Sequence, residues 1–261
     1  MGTDDARTAV VTGASSGIGK AVALAFGARG WRVAVGARRD EALAETAAAI
    51  DASGGRAFAH PLDVREPESV DSFFAAAEDA LGPVDVLVNN AGIALPGALH
   101  EVDDDVHARI VETNLLGPIY ASRRAVRSML QREVPGDIVF VSSDVTVHPR
   151  PQMPAYGASK AGLEHLATIL ALELEGTGIR TSVVRVGPTL TSFGDGWNLE
   201  IFETLMPQWQ RFGFQRHWHT NDAATVAIAV VTAVTIERGS TISVLEVQPT
   251  PPREEPPAPP T

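Results

Sequence analysis

Seven apolar runs alternate with alanine-rich helical stretches from end to end, and this alternation restricts the fold more than any other feature. The runs are TAVVTG from Thr8, WRVAVGA from Trp31, RAFAHPLDV from Arg56, VDVLVNNAG from Val84, DIVFVSS from Asp137, RTSVVRVG from Arg180 and TISVLEV from Thr241. Helices are expected to begin near Ile18, Asp40, Pro67, Asp103, Pro154 and Asn221. Strands that are apolar on both faces, with ten or more helical residues between them, belong to a parallel sheet covered on two sides.

The expected architecture is α/β: a single Rossmann-type domain, a doubly wound seven-stranded parallel sheet with helices on both faces. A length of 261 residues suits one such domain, over residues 1–248. The segment 249–261 has seven prolines in thirteen residues and reads as an extended or disordered tail. The chain carries 21 Lys and Arg against 32 Asp and Glu, a net charge of −11, and forms no basic block. Neither a nucleic acid nor an anionic membrane is therefore an expected partner. The absence of cysteine excludes disulfides, thiolate metal sites and cysteine nucleophiles. The start, MGTDDAR, has no basic and apolar leader pattern, and a cytoplasmic location is the expectation.

Two stretches carry chemistry. The first strand runs into Thr12-Gly13-Ala14-Ser15-Ser16-Gly17-Ile18-Gly19, a tight glycine turn opening a helix. Such a turn lets the backbone approach a pyrophosphate seated at the positive helix N-terminus. A tight strand-to-helix loop is its bland alternative. Further on, Tyr156 and Lys160 stand four apart, with Ser143 thirteen residues upstream at a strand end. Four-residue spacing puts both side chains on one helix face. An ammonium beside a phenol favours the phenolate, so a lowered pKa is expected for Tyr156 and proton exchange near neutral pH with it. Ser143 is placed to hold a substrate oxygen.

The glycine turn, Asn89-Asn90-Ala91-Gly92, Asn114 in TNLLG, Ser143 and Tyr156-Gly157-Ala158-Ser159-Lys160 together resemble the short-chain dehydrogenase/reductase family, in order and spacing from Thr8 to about Thr191. The resemblance implies that Tyr156 is the acid/base, Ser143 the carbonyl-orienting hydroxyl, Lys160 the residue that tunes the tyrosine and bonds the nicotinamide ribose, and Asn114 the holder of a relay water. It implies cofactor contacts at Gly13, Ser15, Ser16, Gly17, Ile18 and Gly19, at Asn90, Ala91 and Gly92, at Asp63 and Val64 beside the adenine, and at Gly187, Thr189 and Thr191 beside the nicotinamide. Val186 stands where the family has proline. It also implies a homo-oligomer, a dimer or tetramer.

The second strand ends in Ala37 and is followed by Arg38 and Arg39, with no carboxylate at its tip to hold a ribose 2′-hydroxyl. Guanidiniums suit a 2′-phosphate, so NADP(H) is favoured over NAD(H). A solvated arginine pair at a helix start is the alternative. Between Phe193 and Trp218 lie seven of the fifteen aromatic residues: Phe193, Trp197, Phe202, Trp209, Phe212, Phe214 and Trp218. A lid over about 190–219 would favour a bulky or hydrophobic carbonyl compound; core packing or a subunit interface explains the same residues. His217 and His219 make a poor metal site, and none is expected. His148 and Arg150 are candidates to touch substrate, though loop exposure accounts for them equally. The expected activity is an NADP(H)-dependent interconversion of carbonyl and alcohol. A catalytically silent nicotinamide-binding sensor or scaffold is the alternative, and reduction of a carbon–carbon double bond ranks third.

Overall fold

β1 (Thr8–Thr12) lies at the centre of a seven-stranded sheet in which every pairing is parallel. The computed structural model describes residues 6–191, 193, 197, 199–213 and 217–251. In chain order β1 is followed by α1 (Gly17–Gly27), β2 (Arg32–Ala37), α2 (Asp40–Ala52), β3 (Arg56–Pro61), α3 (Pro67–Leu81) and β4 (Val86–Asn89). Then come α4 (Asp104–Val111), α5 (Gly117–Arg132), β5 (Gly136–Ser143), α6 (Pro154–Glu173), β6 (Ile179–Val186), β7 (Thr189–Leu190), α7 (Leu199–Arg211), β8 (Asn221–Asp222), α8 (Ala223–Thr235) and β9 (Val244–Val247). The sheet order is β3-β2-β1-β4-β5-β6-β9, as expected for a doubly wound fold, and the strand order reverses between β1 and β4.

Period-two alternation explains the two-sided core. Ala9 and Val11, Val86 and Val88, and Val139 and Val141 point to the face covered by α1, α2 and α8, where Val22, Phe26, Ile50 and Val230 meet them. Val10, Leu87, Ile138 and Phe140 point to the opposite face, against Phe73 and Phe74 of α3, Met129 of α5 and Leu163 of α6. Burying an aromatic or branched side chain of this kind contributes about 1.5–3 kcal/mol.

Three local features differ from the sequence expectation. The helix expected from Asp103 is two helices joined by a π-helical turn, Glu112–Leu116, which contains Asn114. β3 ends at Pro61, so Asp63 lies in the loop beyond the strand. The helix expected from Asn221 begins at Ala223, because Asn221 and Asp222 pair with Thr189 and Leu190 and Asp222 caps the helix through Ala224 N at 2.9 Å. No described helix is long and apolar enough to cross a membrane. Of the proline-rich segment only residues 249–251 are described, and Phe214 also lies outside the described residues.

Candidate active site

The carboxyl ends of β1, β4, β5 and β6 open onto one crevice, and the residues singled out by sequence gather around it. Gly13 leaves β1 with φ +67°, and a Cβ there would stand 2.8 Å from Ala91 Cα. Gly19 is equally confined, since a Cβ would collide with Asn90 Nδ2 and Gly13 O at 2.4 Å. Asn90 closes the turn by donating through Nδ2 to Thr12 O at 2.9 Å and to Gly13 O at 3.2 Å. The N–H groups of Asn90 and Ala91 both donate to Thr12 Oγ1, at 3.1 and 3.0 Å. Ser16 occupies the N-cap of α1 without a side-chain capping bond. The N-terminus of α1, with first-turn residues Gly17, Ile18 and Gly19, lies beside this close backbone approach, an arrangement that can seat a pyrophosphate.

Arg39 reaches back over this turn and donates to Ser15 Oγ at 3.0 Å and to Ser16 Oγ at 2.7 Å. Arg38 is exposed beside it. Asp63 is gripped by Arg65, with Nη2 at 2.6 Å from Oδ2 and Nε at 3.0 Å from Oδ1. That hydrogen bonding, with a smaller contribution from Arg38, holds the Asp63 carboxyl below its ordinary value against the opposing effect of partial burial. Val64 is buried. Beyond β6, Thr191 lies against Gly17, where a Cβ would stand 3.1 Å from its side chain. Thr189 Oγ1 donates to Gly187 O at 2.9 Å, and Gly187 N donates to Val247 O at 2.9 Å.

Tyr156 and Lys160 are both buried, on the face of α6 turned toward β5. Lys160 Nζ donates to Val141 O at 2.8 Å and lies 5.9 Å from the Tyr156 ring centroid. Desolvation pulls the Lys160 ammonium down to about 8, with Glu164 working against the fall. Burial pushes the Tyr156 phenol up to about 12, and Asp144 adds to the rise, while the hydrogen bond with Ser143 and the charge of Arg150 oppose it. The expected lowering of the phenol is therefore reversed: burial outweighs a lysine whose ammonium is turned to a backbone carbonyl. Asn114 is fully buried and spends its side chain on Ile93, accepting from Ile93 N at 2.8 Å and donating to Ile93 O at 2.9 Å, with Ser159 Oγ at 3.1 Å. A Cβ at Gly92 would stand 3.3 Å from Asn114 Oδ1 and 3.6 Å from Lys160 Nζ, so the three share one corner of the crevice.

The aromatic segment divides. Leu205 and Trp209 of α7 are buried in a third apolar cluster with Tyr156, Val145, Met153 and Ile110. Two indole N–H groups fasten it: Trp197 donates to Ala94 O at 3.0 Å and Trp209 to Pro151 O at 3.1 Å. Phe193 stands over Tyr156 with ring centroids 5.7 Å apart, and Phe193, Phe202, Phe212 and Trp218 remain exposed. A cleft of about 650 Å³ lies between α7 and the loops at Ala98–Glu101 and Arg150–Pro154.

Sequence reading did not single out Asp144 or Glu164. Asp144 follows Ser143 directly and is held by Arg150 through two bonds of 2.7 Å, so Arg150 is a partner of the site rather than a loosely exposed loop residue. Glu164 stands one turn beyond Lys160, and the ladder Tyr156, Lys160, Glu164 was its available signal.

A family profile described as short chain dehydrogenase matches residues 7–200. The chain is 41% identical over 207 residues to the 3beta-hydroxysteroid dehydrogenase 1 of Eggerthella lenta, covering 77% of this chain and 79% of that protein. Among solved structures it is similar to an actinorhodin polyketide ketoreductase variant with NADPH, at TM-score 0.81 and 32% identity over 95% of this chain and 97% of the other. A short-chain dehydrogenase/reductase from Burkholderia phymatum in complex with NAD shares the fold at TM-score 0.82 and 24% identity, over 94% of this chain and 90% of that one. With the glycine turn, the reversal of strand order and the tyrosine–lysine helix in place, these matches identify the chain as a member of the short-chain dehydrogenase/reductase family, a dehydrogenase acting on CH–OH groups with NAD(P).

Proposed function

We propose that the protein interconverts a bulky, hydrophobic ketone or aldehyde and its alcohol with NADP(H). The observation that carries this reading is the convergence of Ser143, Tyr156 and Lys160 at one end of β5, under an aromatic wall. When bound, the nicotinamide supplies hydride to the carbonyl carbon or takes it back from the alcohol carbon. Tyr156, protonated well above neutral pH, gives its phenolic proton to the carbonyl oxygen. Ser143, whose hydroxyl acts on that phenol, holds the same oxygen. Lys160 carries the positive charge that favours phenolate as the proton leaves. Asn114 has committed its side chain to Ile93, so its backbone carbonyl is what remains for a relay water.

The glycine turn with Asn90, Ala91 and Gly92 holds the pyrophosphate side, Asp63 and Val64 border the adenine, and Gly187, Thr189 and Thr191 border the nicotinamide. Arg39 over Ser15 and Ser16, with Arg38 next to it, forms a cationic rim where a 2′-phosphate would lie. The hydroxysteroid in the name of the Eggerthella relative is consistent with the apolar wall of Phe193, Trp197 and Trp209. Exposed Ile169 and Leu172 on α6 offer apolar surface for assembly as a dimer or tetramer.

A panel of aldehydes, ketones and alcohols, assayed with both cofactors, tests the activity. Calorimetric titration tests the cofactor: Arg38→Ala should weaken NADPH binding about tenfold to a hundredfold, the equivalent of roughly 1.5–3 kcal/mol, and leave NADH nearly unchanged. Wild-type protein that binds NADH more tightly than NADPH would overturn the NADP(H) assignment before any variant is made.

A further inference from the structure

Glu164 belongs to no motif, yet its carboxylate is heavily bonded near the reacting end of β5. Its Oε1 accepts from Ser142 Oγ at 2.7 Å and Arg185 Nε at 3.1 Å, and its Oε2 accepts from Arg185 Nη2 at 2.7 Å. The Thr146 hydroxyl lies within bonding distance of both Glu164 Oε1, at 2.9 Å, and the backbone oxygen of Ser143, at 3.0 Å. Ser142 and Thr146 flank Ser143, so one carboxylate ties down the strand end on both sides of the hydroxyl that faces Tyr156. The ties continue outward. Arg185 Nη1 reaches Glu246 Oε2 at 3.1 Å, Gln248 Nε2 reaches Glu246 Oε1 at 3.0 Å, and the same amide stands 3.4 Å from Asp144 Oδ2. A bidentate guanidinium and two hydroxyl donors require an acceptor on every lone pair, which a carboxylate provides and an amide does not.

We propose that Glu164 is a positioning residue for the reaction: it fixes the strand end that presents Ser143 and, one helical turn beyond Lys160, lends that ammonium its counter-charge. The inference rests on the assignment of Tyr156, Ser143 and Lys160 to proton transfer. Arg185 from β6 is the charged group bonded to Glu164, Glu246 from β9 is reached through it, and Lys160 stands one turn back on the same helix with its ammonium on Val141 O. Asp144 and Arg150 act on Tyr156 instead, and the π-helical turn contributes the neutral Asn114. Glu164 opposes the fall of the buried Lys160, and hydrogen bonds from Arg185, Ser142 and Thr146 keep Glu164 itself ionised despite partial burial.

The test is an NMR titration of the Lys160 side chain in wild type, Glu164→Gln and the Ser142→Ala/Thr146→Val pair, beside kcat and KM profiles against pH. Loss of a counter-charge at this spacing should lower the Lys160 midpoint by roughly one pH unit in Glu164→Gln. At pH 8 the charged fraction would then fall from about half to about a tenth, and kcat with it by roughly fivefold, with KM moving less. The Ser142→Ala/Thr146→Val pair should lower kcat without moving the Lys160 midpoint. If Glu164→Gln does not fold, Glu164→Leu/Arg185→Met replaces the ion pair by apolar groups, and its Lys160 midpoint should lie below that of Arg185→Met alone. An unchanged Lys160 midpoint in the charge-removing variant overturns the proposal. Absence of turnover in wild type would count against the carbonyl–alcohol reading and would leave the NMR comparison to decide the role of Glu164.

Discussion

The two ends of β5 treat buried charge in opposite ways. At the amino end, Asp137 is buried among three arginines: it is paired with Arg7, with Arg180 Nε at 2.7 Å and with Arg238 Nη2 at 3.0 Å. The same arginines also donate to backbone carbonyls, among them Val234 O, Ile236 O, Ser240 O and Gly136 O, so this cluster ties the end of α8 and the following loop to the sheet. At the carboxyl end, six residues on, Ser143 faces a buried phenol and a buried ammonium driven in opposite directions, to about 12 and about 8. One end surrounds a carboxylate with donors; the other keeps an ammonium under desolvation. The first arrangement secures the fold, and the second holds the perturbed pair to which the proposed proton transfer is assigned.

The largest expected effect lies at the amino end. Asp137→Ala leaves three guanidiniums facing one another, and breaking a buried pair of this kind costs about 3–5 kcal/mol, to be read by denaturant unfolding. Residual folded protein should keep its cofactor affinity, since the cluster lies at the opposite end of the sheet from the crevice. A variant with unchanged stability would break the contrast.

A smaller effect of opposite sign is expected at the carboxyl end. Lys160→Met removes a desolvated ammonium and should raise stability at pH 7 by on the order of 2 kcal/mol while turnover is lost. The pH dependence sharpens this. The folded-state value of about 8 lies below the ordinary 10.5, so between these values the unfolded chain binds the extra proton and stability rises with pH. Lys160→Met should lack that rise. Tyr156 works the other way: its contribution is present below about 10 and is lost as the pH climbs toward 12. Unfolding free energies measured at pH 7 to 10 in both proteins check the first sign, and parallel curves would contradict it.

Much of this molecule was legible because its signals are local. Apolar runs separated by helical stretches located all seven strands of the main sheet, and fixed spacing along α6 placed Tyr156 and Lys160 together. What escaped depends on partners distant in sequence. The π-helical turn at Asn114 breaks a run whose periodicity looks continuous, and β7 and β8 are two-residue strands that pair with each other. Glu164 meets Arg185 across 21 residues and Asp137 meets Arg7 across 130, distances over which charge pattern carries no register. The direction of the Tyr156 shift was missed for a related reason. Sequence shows the neighbouring lysine, whereas burial, which dominates, is a property of the assembled site. Sequence alone admits both lid and core for the aromatic segment, and it is divided: Trp209 is interior and Phe193 stands over the phenol.

The proposed proton donor is Tyr156, and Tyr156→Phe removes its oxygen while keeping the ring that packs against Phe193. Turnover of a substrate found in the carbonyl screen, measured beside NADPH affinity, is the decisive pair of numbers. The expected result is a fall in kcat of about 10²–10⁴ with the dissociation constant for NADPH within roughly twofold of wild type. Turnover at the wild-type rate in Tyr156→Phe would contradict it and would place the proton donor elsewhere in the crevice.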